Sequence, residues 1–252
     1  MDVLFLGSGT SYGVPMIGCK CEVCTSADPR NRRTRASVLF QYDGRNVLVD
    51  TSIDMRFQFL AQDIDHVDAV LYTHAHADHL HGLDDVRAIS TRHGPLDLYA
   101  DAHTAAVITQ SFRYVFDEAE PVSDVPTVRL HTIDGPFELF GETFWPLELE
   151  HGTLPVLGYR VHDIAYLTDC SGIPETSLRM LGNLKVLVID AVRFRPHPTH
   201  FSVDEALEVI GILKPERAYL THLSHDLDHE TVSAMLGEGV ELAWDGLRLT
   251  VP

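Results

Sequence analysis

Residues 68–82 read DAVLYTHAHADHLHG, and this stretch decides the fold. The apolar run Ala69–Tyr72 predicts a buried strand that leads directly into the pattern His-x-His-x-Asp-His. The candidate metal ligands of this pattern are His74, His76, Asp78 and His79. A polar loop that happens to be rich in histidine is the alternative. Four potential ligands within six residues, immediately after a strand, favour a metal site instead.

The spacing within this pattern predicts two metal positions. Alternate residues of an extended segment point the same way, so His74 and His76 can bind one metal. Asp78 and His79 then lie one turn further along, where they can reach a second metal. Imidazole together with carboxylate suits zinc, manganese or iron rather than calcium.

The composition is typical of a soluble globular protein. The chain has 252 residues, of which 45% are hydrophobic and 22% charged, and we expect a single domain over residues 1–252. The N-terminus has no basic segment before its short apolar run, which reads as a first strand rather than a signal peptide. No apolar stretch approaches the roughly 20 residues that span a bilayer. We therefore expect a cytoplasmic protein without a membrane partner.

The charge balance is acidic, with 19 Lys+Arg against 37 Asp+Glu and a net charge of −18. This charge disfavours broad, non-specific binding to nucleic acid or to anionic membranes, so no stable nucleic-acid partner is expected. A small anionic substrate remains compatible, because divalent cations would dominate the field inside the site.

The rest of the sequence indicates mixed sheets flanked by helices, which is the α/β class. Apolar runs predict strands at 3–6, 37–41, 46–49, 69–72, 96–99, 143–149, 157–161, 165–167, 186–189, 218–220 and 247–251. Helical patterns fall at 101–116, 174–181, 202–213 and 229–236. The helix at 202–213 has the clearest start, because Ser202 precedes Glu205 by three residues, as in a capping box.

The His-x-His-x-Asp-His sequence resembles the signature of the metallo-β-lactamase superfamily. That resemblance implies an αββα four-layer sandwich of two mixed sheets flanked by helices, with metals at one edge of the sheets. It also implies further ligands downstream, in a fixed order and after successive strands. The candidates in those positions are His151, Asp169 and His222.

The resemblance divides the seven candidate ligands between two catalytic metals. One metal would be held by His74, His76 and His151, and the other by Asp78, His79 and His222. Asp169 would bridge both, and its charge would offset the repulsion between two neighbouring dications. Asp78 and Asp169 thus count among the catalytic residues.

Four further residues are candidates for supporting roles. Asp50 ends a predicted strand, where the resemblance implies a carboxylate that orients the histidine loop; a turn-initiating role is equally compatible. Asp190 is a weaker candidate of the same kind. By the same resemblance, His200 is the general acid beside the metals. His197 matches less well, and a surface histidine remains the alternative for His200.

Three of the four cysteines fall within six positions, in GCKCEVC. They are Cys19, Cys21 and Cys24. A structural zinc needs four ligands, and His225 is the candidate for the fourth. Its offset of three residues lets His222 serve the catalytic site while His225 faces a zinc-binding cysteine loop at about residues 18–33. A redox pair or an accidental thiol cluster is the alternative.

The segment GSGTSYGVP at 7–15, the cysteine cluster and THLSH at 221–225 together resemble the PhnP-type phosphodiesterases, in the ribonuclease-Z-like branch of the superfamily. Members hydrolyse phosphoribosyl 1,2-cyclic phosphate and related cyclic phosphates. The resemblance implies two active-site metals (manganese or zinc, or iron), a structural zinc and a homodimer. We therefore expect a dinuclear-metal phosphodiesterase that acts on small cyclic phosphodiesters, including 2′,3′-cyclic nucleotides.

Other functions are alternatives to this one. Within the superfamily they are tRNA 3′-processing ribonuclease Z, a lactonase and a β-lactamase. The acidic charge and the lack of an evident basic insertion disfavour ribonuclease Z. Two further alternatives have a different kind of function. One is a cofactor-biosynthesis protein like the pyrroloquinoline-quinone synthesis protein B, and the other is a non-catalytic zinc-binding module. Both are disfavoured because this chain keeps all seven ligands.

The glycine-rich start predicts a tight turn, since it lacks the third glycine of a dinucleotide-binding pattern.

Overall fold

The computed structural model describes residues 1–117 and 124–252, and its framework is two seven-stranded sheets. The first sheet contains β1 (Asp2–Gly7), β2 (Ser37–Tyr42), β3 (Arg45–Val49), β4 (Ala69–Leu71), β5 (Leu96–Ala100), β6 (Val128–Thr132) and β14 (Arg248–Thr250). The second contains β7 (Phe137–Leu139), β8 (Glu142–His151), β9 (Leu154–Val161), β10 (Ile164–Leu167), β11 (Val186–Asp190), β12 (Arg217–Thr221) and β13 (Val240–Leu242).

The two sheets share one layout. Their strand orders are β14-β1-β2-β3-β4-β5-β6 and β13-β12-β11-β10-β9-β8-β7. In the first sheet, pairs from β14 to β3 are antiparallel and pairs from β3 to β6 are parallel. In the second, pairs from β7 to β10 are antiparallel and pairs from β10 to β13 are parallel. Both sheets are therefore mixed, as the sequence predicts.

The helices are short. They are α1 (Glu22–Thr25), α2 (Met55–Ala61), α3 (Ala77–Leu80), α4 (Arg87–His93), α5 (Ala102–Ser111), α6 (Arg113–Phe116), α7 (Glu175–Leu178), α8 (Val203–Leu213) and α9 (His229–Ser233). Turns of 3₁₀ helix lie at Pro29–Asn31, His81–Val86 and Arg179–Leu181. Among the described residues, no helix is both long and apolar enough to cross a membrane.

Three buried apolar clusters order these elements into four layers. Successive side chains of a strand point to opposite faces, so in β1 Val3 and Phe5 enter the core between the sheets. Leu4 and Leu6 face the other way and pack with residues of α2, α4 and α5. A third cluster joins the outer face of the second sheet to α8 and α9. The order helix, sheet, sheet, helix confirms the αββα sandwich.

The start of α8 is as the sequence predicts. The Ser202 side chain accepts a hydrogen bond from the Glu205 backbone N–H, and the Glu205 carboxylate accepts one from the Ser202 N–H. Because this capping box satisfies backbone donors at both positions, it fixes the helix start beside the site.

Other predicted elements need correction. The helix expected at 101–116 is broken at Phe112, because that side chain is buried against the outer core and its backbone leaves the helical region. The helix expected at 174–181 is one α-helical turn followed by a 3₁₀ turn, and the one at 229–236 ends at Ser233. Strands β6, β7 and β13 and helices α2 and α4 were not predicted from the sequence.

The glycine-rich start forms a turn of closely packed backbone. A Cβ atom on Gly7 would lie 2.0 Å from the carbonyl oxygen of Arg35, so only glycine fits there. Gly9 pairs with both Arg35 and Leu223 through isolated bridges. The glycines thus join the N-terminal segment to the loop after β12.

Candidate metal centre

The candidate ligands gather where strands of both sheets end. His74 follows β4, His151 is the last residue of β8, Asp169 follows β10, and His222 follows β12. Ligand sites of open sheets lie at the carboxyl ends of parallel strands, where several chain segments converge. The structure thus brings together residues that are up to 148 positions apart.

Several of these strand-end residues have an unusual backbone. Asp50, Asp169 and His222 have φ angles of 65°, 51° and 58°, in the left-handed region. Each such residue costs on the order of 1–3 kcal/mol, so strain of this kind persists where surrounding structure fixes it, often at functional sites. With this backbone, the side chains of Asp50 and Asp169 both lie beside His79, and that of His222 lies beside Asp169.

One group of candidate ligands consists of His74, His76, His151 and Asp169, whose donor atoms all lie within 4.8 Å of one another. The imidazole centroids of His74 and His76 are 4.6 Å apart, and those of His76 and His151 are 5.2 Å apart. His76 is exposed while the other three are buried. This group is therefore open to solvent on one side.

A second group consists of Asp78, His79, Asp169 and His222, again with donor atoms within 4.8 Å. Asp169 Oδ1 lies 3.2 Å from His79 Nε2 and 3.3 Å from His222 Nε2. Asp169 Oδ2 lies 3.8 Å from His74 Nε2, which belongs to the first group. The two oxygens of one carboxylate thus face the two groups.

The donor atoms fit divalent cations. The Nε2 atoms of His74, His79 and His222 are buried and have no hydrogen-bond partner among the described residues. An unpaired buried polar atom costs about 1–3 kcal/mol, so three that converge on one carboxylate need partners that accept their lone pairs. Cations bound by imidazole and carboxylate are such partners.

In His79 and His151, the ring nitrogen opposite the candidate metal is held in place. His79 Nδ1 lies 2.7 Å from Asp50 Oδ2, and Asp50 also accepts hydrogen bonds from the N–H and hydroxyl of Thr73 at 2.8 Å each. His151 Nδ1 lies 2.7 Å from the Thr199 carbonyl oxygen. Such contacts fix the ring and the tautomer of a metal-binding histidine. Asp50 thus orients the histidine loop, the first of its two predicted roles.

The ionisation states suit a cation site. Burial alone would raise the pKa of Asp169, but the charges of His222 and His79 outweigh it and hold this pKa well below its usual range. Burial lowers the pKa of His74, which keeps that imidazole neutral. Burial also acts to lower the pKa of His79, yet the carboxylates of Asp169 and Asp78 raise it well above normal. The surrounding carboxylates therefore attract positive charge to this point.

His200 lies beside both groups. Its ring centroid is 4.7 Å from that of His151 and 4.8 Å from that of His222. Its Nδ1 is 2.7 Å from an oxygen of Asp190, which is fully buried and also accepts the N–H of Cys170. Burial favours neutral imidazole, but the hydrogen bond and charge of Asp190 prevail and raise the pKa of His200. Asp190 thus orients His200, a partner that the sequence did not identify.

His197 is less well placed for proton donation. Its ring centroid is 4.9 Å from that of His200, whereas His200 itself contacts the candidate ligands His151 and His222. Burial lowers its pKa, and the nearby charges of His200 and Arg193 lower it further. A histidine that is neutral at neutral pH is a poor general acid, so of the two candidates His200 has the better geometry.

The cysteine cluster forms a second, separate site. Sγ atoms of Cys19, Cys21 and Cys24 lie 3.3, 3.4 and 3.6 Å from His225 Nδ1. Tetrahedral zinc with Zn–S near ~2.3 Å and Zn–N near ~2.05 Å requires S-to-N distances of about 3.5 Å. Burial raises the pKa of the Cys24 thiol to about 11, so a cation is needed to hold this thiol as thiolate. The spacing therefore fits a closed four-ligand zinc site.

One buried arginine fixes the loop that joins the two sites. Arg33 is 1% exposed and donates to the carbonyl oxygens of Ser224 at 2.8 Å and Leu227 at 2.7 Å. These carbonyls flank His225, and His222 lies on the same loop. The spacing of three residues turns the two histidines toward different sites, as the sequence predicts.

A cleft of about 280 Å³ runs between the metal centre and the cysteine cluster. Its walls include Tyr12, Arg193, Arg195, His197, His200, His222, His225 and Asp226. A larger cavity of about 450 Å³, lined by Trp145 and Arg160, lies on the second sheet and contains none of the candidate ligands. The smaller cleft reaches the candidate ligands His222 and His225.

Some of these contacts have no signal in the sequence. The Thr199 contact uses a backbone carbonyl, which any residue provides. Arg33 looks like one of several basic residues in RNRRTR at 30–35. Asp190 is a candidate supporting carboxylate in the sequence because it ends a strand. The sequence does not show that its partner is His200.

The comparisons with known proteins agree with the fold. Residues 45–223 match the family model of the β-lactamase superfamily domain. The whole chain is similar to the crystal structure of a diphosphatase from the PhnP family, with 44% identity and a TM-score of 0.93, covering 100% of this chain and 98% of that one.

Two curated relatives carry other names. The chain is 38% identical over its full length to an octanoyltransferase of Porphyromonas gingivalis, of which it covers 52%. It is 28% identical over 75% of its length to coenzyme PQQ synthesis protein B of Methylorubrum extorquens, of which it covers 72%. The chain thus spans about half the length of the first relative, whose name describes a much longer protein.

A family model that covers most of the chain, and a solved relative at 44% identity over nearly its whole length, agree with the resemblance found in the sequence. The chain belongs to the metallo-β-lactamase superfamily and, within it, to the PhnP family.

Proposed function

We propose that this protein is a dinuclear-metal phosphodiesterase that hydrolyses small cyclic phosphodiesters, such as phosphoribosyl 1,2-cyclic phosphate or 2′,3′-cyclic nucleotides. The observation that carries the proposal is the position of Asp169, whose two oxygens face two separate groups of imidazoles, all of them buried except His76. A carboxylate shared in this way suits a pair of cations, and paired cations are typical of phosphate hydrolysis.

The proposed metals are manganese or zinc, or iron, at the seven catalytic ligands, with one zinc at the cysteine cluster. When bound, a catalytic pair would lower the pKa of a water molecule and neutralise charge that develops on the phosphate oxygens. The Irving–Williams order ranks zinc above iron and manganese in affinity, but metal availability often outweighs this intrinsic preference.

The protein's own residues prepare this chemistry. The neutral imidazole of His74 presents a lone pair, and the ionised Asp169 supplies negative charge beside it. Asp50 holds the His79 ring by its Nδ1. The buried walls exclude bulk water on the protein side, which strengthens every electrostatic interaction in the site.

His200 is the proposed general acid. Its Nδ1 is engaged by Asp190, which leaves Nε2 to donate a proton. The raised pKa favours the protonated ring at neutral pH. A ribose alkoxide is a strong base that departs only with a proton, so this donor suits a cyclic ribose phosphate.

A phosphoanhydride is the second candidate substrate, because the solved relative at 44% identity is a diphosphatase. The same paired cations suit both reactions, but a departing phosphate needs no general acid. The buried Asp190–His200 pair therefore favours the diester.

The names of the other relatives give weaker support for a function of this chain. The octanoyltransferase is about twice as long as this chain, so its acyl transfer need not belong to the matching half. The PQQ synthesis protein B match leaves a quarter of this chain uncovered.

Metal-loaded protein should hydrolyse bis(p-nitrophenyl) phosphate and a 2′,3′-cyclic nucleotide, and chelation should abolish both activities. Re-addition of manganese or zinc should restore them. The cyclic nucleotide should be a better substrate than a dinucleoside diphosphate. Turnover of neither diester by fully metallated protein would refute the proposal, and turnover of the diphosphate alone would replace it.

From the resemblance we also infer a single-domain cytoplasmic protein that forms a homodimer and acts on a free small substrate. The dimer is tested by light scattering of the metallated protein. A monomer at micromolar concentration would refute that part alone.

A further inference from the structure

The cavity of about 450 Å³ on the second sheet lies away from the metal centre. Trp145 of β8 lines it, and the candidate ligand His151 ends the same strand six positions later. Six residues of extended strand span roughly 20 Å, so a small ligand in the cavity does not reach the metal centre. The volume is within the range typical of small-molecule sites. The wall includes Glu142, Trp145, Arg160, His162 and Met180.

The indole of Trp145 is an uncovered aromatic surface in this wall. Trp145 is 40% exposed. Phe140 is exposed to the same extent, but the Arg45 guanidinium lies over its ring, 4.8 Å from the centroid. No ring or guanidinium of the described residues covers Trp145 in this way. Because aromatic rings gain attraction from stacked or edge-on neighbours, this surface is suited to an aromatic ligand.

Arg160 adds a positive charge next to this ring, since it lies directly opposite Trp145 in the β8–β9 pair. Its Nε donates to the His162 carbonyl oxygen at 2.8 Å, and one terminal nitrogen donates to the Met180 carbonyl oxygen. Within the described part of the chain, the other terminal nitrogen has no hydrogen bond and the guanidinium forms no ion pair. A half-buried arginine without a carboxylate partner, in a chain of net charge −18, is suited to an anion.

The acidic residue in the wall does not neutralise Arg160. The Glu142 carboxylate contacts the His162 ring, so it is already engaged. The guanidinium is held by two carbonyl oxygens instead, which orient it without carrying a net charge. The cavity therefore presents one fixed cation beside one open aromatic face.

We propose that this cavity binds a planar aromatic anion, with its ring stacked on Trp145 and its acidic group bound by Arg160. The planar fork of arginine matches the paired oxygens of a carboxylate or a phosphate. Cross-strand neighbours have Cβ atoms about 5 Å apart, so one small molecule reaches both side chains. Two sources share this chemistry, a purine nucleotide and an aromatic carboxylate. The inference is independent of the proposed function, since neither residue belongs to the metal centre.

The fluorescence of Trp145 tests the proposal at the site itself. The chain has two tryptophans, so Trp244→Phe leaves Trp145 as the only indole in the metallated protein. Adenosine 5′-monophosphate and benzoate are the two probes, and at least one should quench this fluorescence with a Kd of about 1 mM or below. Adenosine and benzamide, which lack the acidic group, should bind at least about tenfold more weakly. Ribose 5-phosphate, which lacks the ring, should not displace either probe.

Variants of Arg160 in the same background test the cation. Arg160→Gln should raise the Kd about tenfold, because one charge-assisted contact is lost. Arg160→Lys keeps the charge but not the planar fork, so it should raise the Kd only about threefold. Phe140→Leu is the matched control and should leave the Kd unchanged, since that ring is covered by Arg45.

Binding of adenosine 5′-monophosphate alone upholds the inference with a nucleotide as the ligand, and binding of benzoate alone upholds it with an aromatic carboxylate. Unquenched fluorescence with both probes up to about 10 mM overturns it. Equal binding of the neutral analogues, displacement by ribose 5-phosphate, or an unchanged Kd in Arg160→Gln overturns it as well, because the ligand is then not an aromatic anion held by Arg160. Hydrolysis of bis(p-nitrophenyl) phosphate by the same preparations decides the proposed function separately.

Discussion

The two clusters of candidate ligands share a loop but are assembled in different ways. The histidine and aspartate cluster collects residues from the ends of β4, β8, β10 and β12 in both sheets. In the cysteine cluster, three of four ligands come from six consecutive positions, beside the four-residue helix α1. One site is made by the whole fold, and the other by a short segment that reaches a single distant histidine.

This difference predicts different dependence on metal. The rings of His74, His79 and His151 are oriented by hydrogen bonds with the Thr73 hydroxyl, the Asp50 carboxylate and the Thr199 carbonyl oxygen, which exist without a cation. The cysteine segment packs only a small apolar cluster around Val14 and Val23. We therefore expect the catalytic cluster to be preorganised and the cysteine segment to need its metal for order.

The largest expected effect tests the catalytic cluster. Asp169→Asn removes the charge shared by the two ligand groups and keeps the shape of the side chain. Diester hydrolysis should fall by about 10³-fold or more, since both cations lose a ligand. Metal analysis should find fewer catalytic metals and unchanged tight zinc. Turnover like that of the wild type, with both metals present, would contradict the dinuclear assignment.

The second effect concerns His200. His200→Ala should lower hydrolysis of a cyclic ribose phosphate by about 10²-fold or more, because the alkoxide then leaves unprotonated. Hydrolysis of p-nitrophenyl diesters should change little, since p-nitrophenolate is a stable leaving group. Metal content is the control. Loss of metals would make His200 a ligand, and an equal loss on both substrates would make it a phosphate-binding residue.

The third effect tests the cysteine cluster. Cys21→Ala should lose the zinc that survives mild chelation and should lower the melting temperature by roughly 10 °C, because the N-terminal segment is no longer tied to His225. Cys170→Ala is the matched control, as this thiol is buried and lies outside the cluster. It should keep the tight zinc. Retained zinc in Cys21→Ala would show that the cluster is not a zinc site.

The smallest effect is a change in pH dependence. Asp190 raises the pKa of His200, and a general acid works only while protonated, so hydrolysis of a cyclic phosphate should decline as pH rises through that pKa. Asp190→Asn should lower the pKa and move this decline to lower pH by about one unit. The profile for p-nitrophenyl diesters should not move. An unmoved decline with the cyclic substrate would separate Asp190 from the proton donor.

The same contrast explains what the sequence could predict. His74, His76, Asp78 and His79 are visible because they lie within six positions, as are the three cysteines. His151, Asp169 and His222 became candidates only through the order that the family resemblance implies. Taken alone, each is an ordinary residue after a strand.

The features that the sequence did not predict depend on tertiary packing. The break at Phe112 arises because that side chain packs into the outer core, which propensity does not encode. Strand β6 was missed because most of its side chains are exposed or half-buried, so no apolar run marks it. The buried Arg33 donates to backbone carbonyl oxygens, which every residue has, so no sequence pattern marks its partners.

The loop after β12 also limits how this sequence can change in length over evolution. His222 and His225 face different clusters at a spacing of three residues, and the carbonyls on either side of His225 are bound by Arg33. Inserting or deleting one residue between the two histidines would misdirect one of them. Related chains that retain both clusters should therefore vary in length elsewhere, whereas chains that have lost the cysteines are released from this restriction.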